Sequence, residues 1–264
     1  TQTGTAGGTY TAAPAGLTIN AGTGAITPST STAGTYTVTY TIAASGGCAA
    51  FTTTASVTVN AMDNAAFTYA SATYCQTGTD PTPTITGLAG GTFTSAPAGL
   101  VINAGTGLID LSASALNTYT ITYTTNGPCP NTSNVNVTIT LAPSAGFSYT
   151  GNPYCQSGVD PNPTFVAGAT AGTFSAVPAG LVFVNVNTGQ VDLSASAPGT
   201  YTVTNDIAAS GGCASATASS SITINAAPSA TISYAGSPYC TSLAGAQAVT
   251  QTGTAGGTYT SAPA

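Results

Sequence analysis

The sequence predicts an all-β chain: a tandem array of immunoglobulin-like β-sandwich domains, about 83 residues each, with one disulfide per domain. Three observations point there. The chain repeats itself internally, its composition is that of strands and turns, and short alternating runs are separated by glycine- and proline-bearing turns.

The repeat sets the register. GTYTAAPAGL at 8–17 returns as GTFTSAPAGL at 91–100 and GTFSAVPAGL at 172–181, and begins again as GTYTSAPA at 257–264. Its proline falls at Pro14, Pro97, Pro178 and Pro263, in steps of 83, 81 and 85 residues. The segment 250–264 matches 1–15 except for Ser261 in place of Ala12, so the natural protein is expected to continue in both directions. Four parts follow: 1–60 as the C-terminal part of a repeat, 61–141 and 142–225 as complete repeats, and 226–264 as the N-terminal part of another. The junctions Leu141-Ala142-Pro143-Ser144 and Asn225-Ala226-Ala227-Pro228 are short and carry proline, which predicts a semi-rigid rod.

Composition narrows the chemistry. The sequence contains no Lys, Arg, His, Glu or Trp; its charges are Asp63, Asp80, Asp110, Asp160, Asp192 and Asp206. Nothing in it can neutralise phosphates, so a nucleic-acid partner is not expected, and anionic lipid has no basic cluster to hold. Salt bridges between side chains cannot form. Stability must come from apolar burial, backbone hydrogen bonds and cross-links. At 42% hydrophobic, with many Val, Ile, Tyr and Phe, the chain is unlike disordered sequences. No uninterrupted apolar run of 18 residues exists, so no membrane insertion is expected of this segment. The opening Thr1-Gln2-Thr3 lacks a signal-peptide pattern, and the sequence reads as a mature or internal stretch.

The second copy shows the strands in order. Phe67-Thr68-Tyr69 alternates, Tyr74-Cys75 follows, and Pro81-Thr82-Pro83 suits an edge or an irregular connection. Thr92-Phe93-Thr94 and Leu100-Val101-Ile102 read as short strands, with Leu108-Ile109 pairing back after the turn Asn103–Gly107. Tyr119–Tyr123 is the longest clean alternation, and Val135–Ile139 closes the repeat. Tyr36, Tyr119 and Tyr201 each stand where a tyrosine corner places its ring, and a half-buried core tyrosine fits equally.

Six cysteines form two series. Cys75, Cys155 and Cys240 each follow Tyr, whereas Cys48, Cys129 and Cys213 sit in loops of small residues. The repeat register pairs Cys75 with Cys129 and Cys155 with Cys213, leaving Cys48 and Cys240 with partners outside the sequence. Disulfides in such charge-poor domains indicate an oxidising, extracellular setting. With no histidine and no C-x-x-C, zinc is not expected.

The string APAGLTINAGTGAITPSTSTAGTYTVTYT at 13–41 resembles the immunoglobulin-like repeats of bacterial surface proteins, over about a third of each repeat. YCQTGTDPTPTITG at 74–87 resembles the repeats of very large SprB-type adhesins exported by gliding Bacteroidetes. The resemblance implies secretion, cell-surface display, cell adhesion and gliding motility.

No catalytic residue stands out. Asp80 and Asp160 share one repeat position and Asp110 and Asp192 another, but the remaining copy has no aspartate at either. An Asx-type turn before proline explains Asp80 and Asp160, with calcium at domain junctions as the sharper alternative. Thr35, Thr37, Thr39 and Thr41 share one strand face, opposite Tyr36, Val38, Tyr40 and Ile42. That face reads as solvated strand surface, or else as a flat array binding ice or a polysaccharide. Asn131-Thr132-Ser133 and Asn136-Val137-Thr138 are formal glycosylation sequons. Taken together the sequence predicts an extracellular filament or adhesin, not an enzyme. Its partners would be neighbouring repeats, self-association into filaments, and an unidentified surface or glycan.

Overall fold

The computed structural model describes residues 3–262. Thr1, Gln2, Pro263 and Ala264 lie outside the described residues, and with them the fourth occurrence of the repeat proline. Among the described residues the chain is all-β apart from one short 3-10 turn, Pro28–Thr30, and it divides into two compact units at Leu141 and Ala142.

In the first unit, β1 (Thr9–Ala13), β2 (Gly34–Ile42) and β3 (Phe51–Val59) form an antiparallel sheet with β2 in the centre. The strands β4 (Phe67–Thr68), β5 (Thr73–Cys75), β6 (Thr84–Ile85), β7 (Thr92–Ala96), β8 (Val101–Ile102), β9 (Ile109–Asp110), β10 (Asn117–Thr124) and β11 (Thr132–Thr140) follow. One sheet has the order β5-β11-β10-β7, and the pairs β4-β6 and β8-β9 supply the facing layer. This is an immunoglobulin-like β-sandwich.

The second unit repeats the plan. It contains β12 (Phe147–Ser148), β13 (Tyr154–Cys155), β14 (Thr164–Phe165), β15 (Thr173–Val177), β16 (Val182–Asn185), β17 (Gln190–Asp192), β18 (Gly199–Ile207) and β19 (Ala216–Asn225). Its sheet order is β13-β19-β18-β15, faced by β12-β14 and β16-β17. A separate hairpin joins β20 (Ala230–Tyr234) to β21 (Val249–Gly253).

Period-two alternation decides which residues face inward. Along β10, Tyr119, Ile121 and Tyr123 are buried while Thr118, Thr120 and Thr122 point outward or are half-buried. The inward rings meet the facing layer, with Phe67 centred 5.4 Å from Phe93 and 5.8 Å from Tyr123. Ile109, Leu111 and Val137 complete a dry core. In the second unit Phe147, Phe174, Val191, Leu193, Tyr201, Val203, Ile222 and Ile224 play these parts. Fully burying one such side chain contributes about 1.5–3 kcal/mol, and no charged pair is needed.

Two elements depart from the expected layout. Thr84–Ile85 is a paired strand beside the proline connection. More consequentially, β5 runs parallel to β11, with Thr73 opposite Thr138 and Cys75 opposite Thr140. The same pairing sets Tyr154 opposite Ile224 and Cys155 opposite Asn225.

Candidate functional site

Parallel pairing gives each of the two sandwiches two distinct ends. At the leading end of the first, Asp63 accepts a hydrogen bond from the Thr125 hydroxyl at 2.9 Å, and its backbone N–H donates to the Cys129 carbonyl at 2.9 Å. Thr125 is buried and also accepts the Asn131 N–H at 2.8 Å, while the Asn131 side chain donates to the Asp63 carbonyl at 3.0 Å. Cys129 sits beside the Asn60 carbonyl, its sulfur 3.8 Å away. At the trailing end lie Cys75 and Gln76: the Gln76 N–H donates to the Thr140 carbonyl at 2.9 Å and its side chain donates to the Ser114 carbonyl at 2.9 Å. Gln156 makes the matching bonds to Asn225 and Ser196.

The intradomain disulfides expected from the sequence do not form. Cys75 lies against the last residue of β11 and Cys129 lies before its first, so a nine-residue strand separates them. A strand of that length spans about 27 Å, against the 4.4–6.8 Å between Cα atoms that a disulfide allows. The same holds for Cys155, opposite the last residue of β19, and Cys213, which precedes its first. Cys129 and Cys155, the partners expected for Cys75 and Cys213, carry free thiols, as do Cys48 and Cys240. The hydroxyl and N–H of Ser157 beside the Cys155 sulfur hold that thiol below its ordinary pKa.

The aspartates serve the backbone. Asp80 accepts the Leu111 N–H at 2.9 Å, and Asp160 accepts the Leu193 N–H at 2.9 Å. These bonds clamp residues about thirty positions apart, in place of the local Asx turn expected from the sequence. Asp110 and Asp192 each accept a backbone N–H three residues on and a serine hydroxyl two residues on, and both bonds hold their carboxyls below the usual range. Calcium takes six to eight oxygens. Among the described residues no three His, Cys, Asp or Glu side chains gather into such a set, and Asp80 already spends an oxygen on Leu111.

The outward threonines bond to one another across strands. Thr118 and Thr138 hydroxyls lie 2.8 Å apart, Thr200 and Thr223 2.9 Å, and Thr35 and Thr58 3.2 Å. Asn136 accepts the Thr120 hydroxyl at 2.9 Å, and Asn131 is tied to Asp63, so both sequon asparagines hold structural bonds.

Tyr36, Tyr119 and Tyr201 satisfy both readings of their position. Each ring is buried, and each hydroxyl donates to the carbonyl four residues upstream: Thr32 at 2.5 Å, Ala115 at 2.8 Å and Ala197 at 2.7 Å. Sequence reasoning overlooked a serine that recurs beside them. Ser31, Ser114 and Ser196 accept the N–H of Thr18, Val101 and Val182, each at 2.9 Å, and donate to the carbonyls of Thr27, Asp110 and Asp192. Its signal was present in the sequence as a serine five residues before each corner tyrosine.

A cleft of about 640 Å³ opens over the first sheet, lined by Tyr10, Ile26, Val38, Tyr40 and Phe51. Tyr10 and Tyr40 correspond to Phe93 and Tyr123, which in the β4–β11 sandwich are covered by Phe67. Ile232 and Tyr234, on β20, are exposed.

No family model matches the chain, and no curated protein matches it. Among solved structures, the chain is similar to protocadherin gamma B2 extracellular cadherin domains 3–6, at 12% identity over 89% of this chain and 69% of that one, with a TM-score of 0.37. It is also similar to mouse cadherin-23 EC22–24, at 13% identity over 83% of this chain and 86% of that one, with a TM-score of 0.31. Likenesses this loose carry nothing about function. The sandwich assignment stands on strand pairing and core composition.

Proposed function

We propose that this chain is a structural and adhesive repeat region of a large extracellular filament or adhesin on a bacterial cell surface, and that it is not an enzyme. The observation that supports this best is duplication down to single bonds. Two repeats share sheet order, core positions, aspartate clamps and serine bridges, and a chain that repeats its scaffold serves reach and durability. The parts are 1–60, 61–141, 142–225 and 226–264, with the cleft over the first sheet completed by the N-terminal part of a repeat. Partners are neighbouring repeats, with self-association into filaments as an extension. The resemblance to SprB-type adhesins of gliding Bacteroidetes favours a role in gliding motility.

The alternative, a carbohydrate- or ice-binding face built on threonine rows, draws less support, because Thr118, Thr138, Thr200 and Thr223 direct hydroxyls at each other.

Surface labelling tests the proposal. An antibody raised against this chain should label unpermeabilised producing cells. The label should survive trypsin, since the sequence holds no Lys or Arg. Labelling only after permeabilisation would overturn it.

A further inference from the structure

The loop between β10 and β11 holds the one Asn-Gly pair of the sequence, Asn126-Gly127. Its counterparts in the other two copies of this loop are Ser45-Gly46 and Ser210-Gly211. Those two loops close as tight turns: the Cys48 N–H donates to the Ser45 carbonyl at 2.9 Å, and the Cys213 N–H to the Ser210 carbonyl at 2.8 Å. Among the described residues, Asn126–Cys129 has no such bond. Pro128 biases the residue before it toward extended backbone, and Gly127 lacks the positive φ that Gly46 and Gly211 take, +57° and +58°.

The open loop leaves two reactive groups side by side. Asn126 is exposed, and among the described residues neither its carboxamide nor the Gly127 N–H has a hydrogen-bond partner. Asparagines in the tight hairpin turns differ. The carboxamide oxygen of Asn20 accepts the Gly22 N–H at 2.9 Å, that of Asn103 accepts the Gly105 N–H at 3.0 Å, and each is followed by alanine. Position 127 cannot gain a side chain, because a Cβ on Gly127 would lie 2.5 Å from the Asp63 carboxylate and 2.7 Å from the Leu88 side chain. Packing therefore keeps glycine after Asn126, and glycine leaves its backbone nitrogen unshielded.

We propose that Asn126 is a site of spontaneous backbone modification, deamidating through a succinimide to aspartate and isoaspartate. The Gly127 nitrogen gives its proton to water and attacks Cγ of Asn126. The Cγ–Nδ2 bond breaks, and the amide nitrogen takes a proton from water and leaves as ammonia, closing a cyclic imide. Water then opens either imide C–N bond. Opening at Cγ leaves aspartate; opening at the Asn126 backbone carbonyl leaves isoaspartate, with the chain running through Cβ and Cγ. The net change consumes one water and releases one ammonia, and needs no oxidant or cofactor.

Isoaspartate matters here because the loop is braced on both sides of it. Asp63 holds Thr125 through its carboxylate, Cys129 through its N–H and Asn131 through its carbonyl. One further backbone carbon between Thr125 and Cys129 breaks the spacing that these three bonds share. Either product also adds a second carboxylate next to the glycine that Asp63 packs against, and the like charges repel.

The inference rests on this loop alone, so its test is separate from cell labelling. The chain is held in mildly alkaline buffer, then unfolded, cleaved with chymotrypsin and mapped by mass spectrometry, which follows the peptide that starts after Tyr123. Asn131 and Asn136 share that peptide, are hydrogen-bonded and precede Thr132 and Val137, so they serve as internal standards. Asn126 should convert at least about fivefold faster than either, into two products of equal mass that separate chromatographically. In the converted chain the Asp63 and Thr125 amides should exchange hydrogen at least about fivefold faster than in the fresh chain. Asn126→Ser, which carries the serine of the other two loops, should gain no mass at this position and keep its exchange rates through the same incubation. Conversion of Asn126 no faster than that of Asn131 or Asn136 would overturn the site. Fresh-chain exchange at Asp63 in fully converted protein would overturn its effect on the loop.

Discussion

Tyr123 and Asn205 hold the same position in the two sandwiches and accept the N–H of equivalent glycines with unlike side chains. The Tyr123 hydroxyl accepts the Gly91 N–H at 2.9 Å and donates to the Leu88 carbonyl at 2.7 Å. The Asn205 carboxamide accepts the Gly172 N–H at 2.7 Å and donates to the Thr170 carbonyl at 2.9 Å, with a further bond to the Ala145 carbonyl at 2.9 Å. The smaller side chain gives up a ring's volume, and the second repeat refills it: Phe165 and Phe183 stand where the first has Ile85 and Ile102, both against Phe174.

Asn205 is fully buried, so its removal leaves a donor and two acceptors without partners. Asn205→Ala should destabilise the second complete repeat by about 3 kcal/mol or more, at roughly 1–3 kcal/mol per unsatisfied group. Tyr123→Phe loses two bonds but keeps its ring, and should cost the first repeat about 2 kcal/mol. Hydrogen exchange read separately on β10–β11 and β18–β19 checks both. A larger loss in the tyrosine variant would contradict the accounting.

Gly172 and Gly91 immediately precede β15 and β7, and their N–H groups are the ones held by Asn205 and Tyr123. A Cβ on Gly172 would lie 2.0 Å from the Asp206 carbonyl oxygen, and one on Gly91 2.1 Å from that of Thr124. Backbone cannot yield to such an overlap. Gly172→Ala should therefore cost about 2–4 kcal/mol, in the range of overpacked sites. Gly168, with φ of +80° and nothing near its Cβ position, should cost only about 1 kcal/mol as alanine. Equal losses of melting temperature in the two variants would contradict the steric account.

Strand identity and facing were legible in the sequence because alternation reports burial directly: Tyr119, Ile121 and Tyr123 read as core and are core. The corner bond of Tyr119 to Ala115 was legible for the same reason, being local and tied to a strand start. Cysteine pairing was not. It depends on whether β5 lies parallel or antiparallel to β11, and three residues, Thr73–Cys75, carry no signal of direction. Asp80 was misread because its partner, Leu111, is distant in sequence and is engaged through a backbone N–H that any residue type supplies. Asn205 was visible as a break in the run Tyr201-Thr202-Val203-Thr204, but its role required knowing that Gly172 approaches it.

The pH dependence of stability should be one-sided. Tyr69 and Tyr149 donate to the carbonyls of Gly107 and Gly189, each at 2.5 Å, and burial raises the pKa of both well above the ordinary tyrosine value. A raised folded-state pKa means the native state holds its proton after the unfolded chain has lost it. Stability from these groups is whole below about pH 10, the unfolded value, and is lost as pH rises through the folded one. The lowered pKa of Asp110 and Asp192 works oppositely, contributing above the unfolded carboxylate value and fading as pH falls through the folded one. Melting temperature should thus change little between about pH 5 and pH 8 and drop above about pH 10. Tyr69→Phe and Tyr149→Phe together should flatten the alkaline limb; an unchanged limb would rule out these rings as its source.

Asp80 separates an acceptor role from a metal role. Its carboxylate oxygen receives the N–H of Leu111, whose side chain is fully buried in the core. Asparagine keeps a carbonyl oxygen at that place, so Asp80→Asn should lose only the charge assistance, about 1 kcal/mol or less. Asp80→Ala strands the Leu111 N–H and should cost about 1.5–3 kcal/mol, as bonds to charged groups do. A calcium ligand would behave differently. Asparagine would then be nearly as damaging as alanine, and calcium at about 1 mM, a concentration that loads weak extracellular sites, would raise the melting temperature of the parent chain alone. With Leu111 as the partner, calcium should shift none of the three proteins, and the order of stability should run parent, asparagine, alanine. A calcium-dependent rise confined to the parent would return Asp80, and Asp160 with it, to the role of cation ligand.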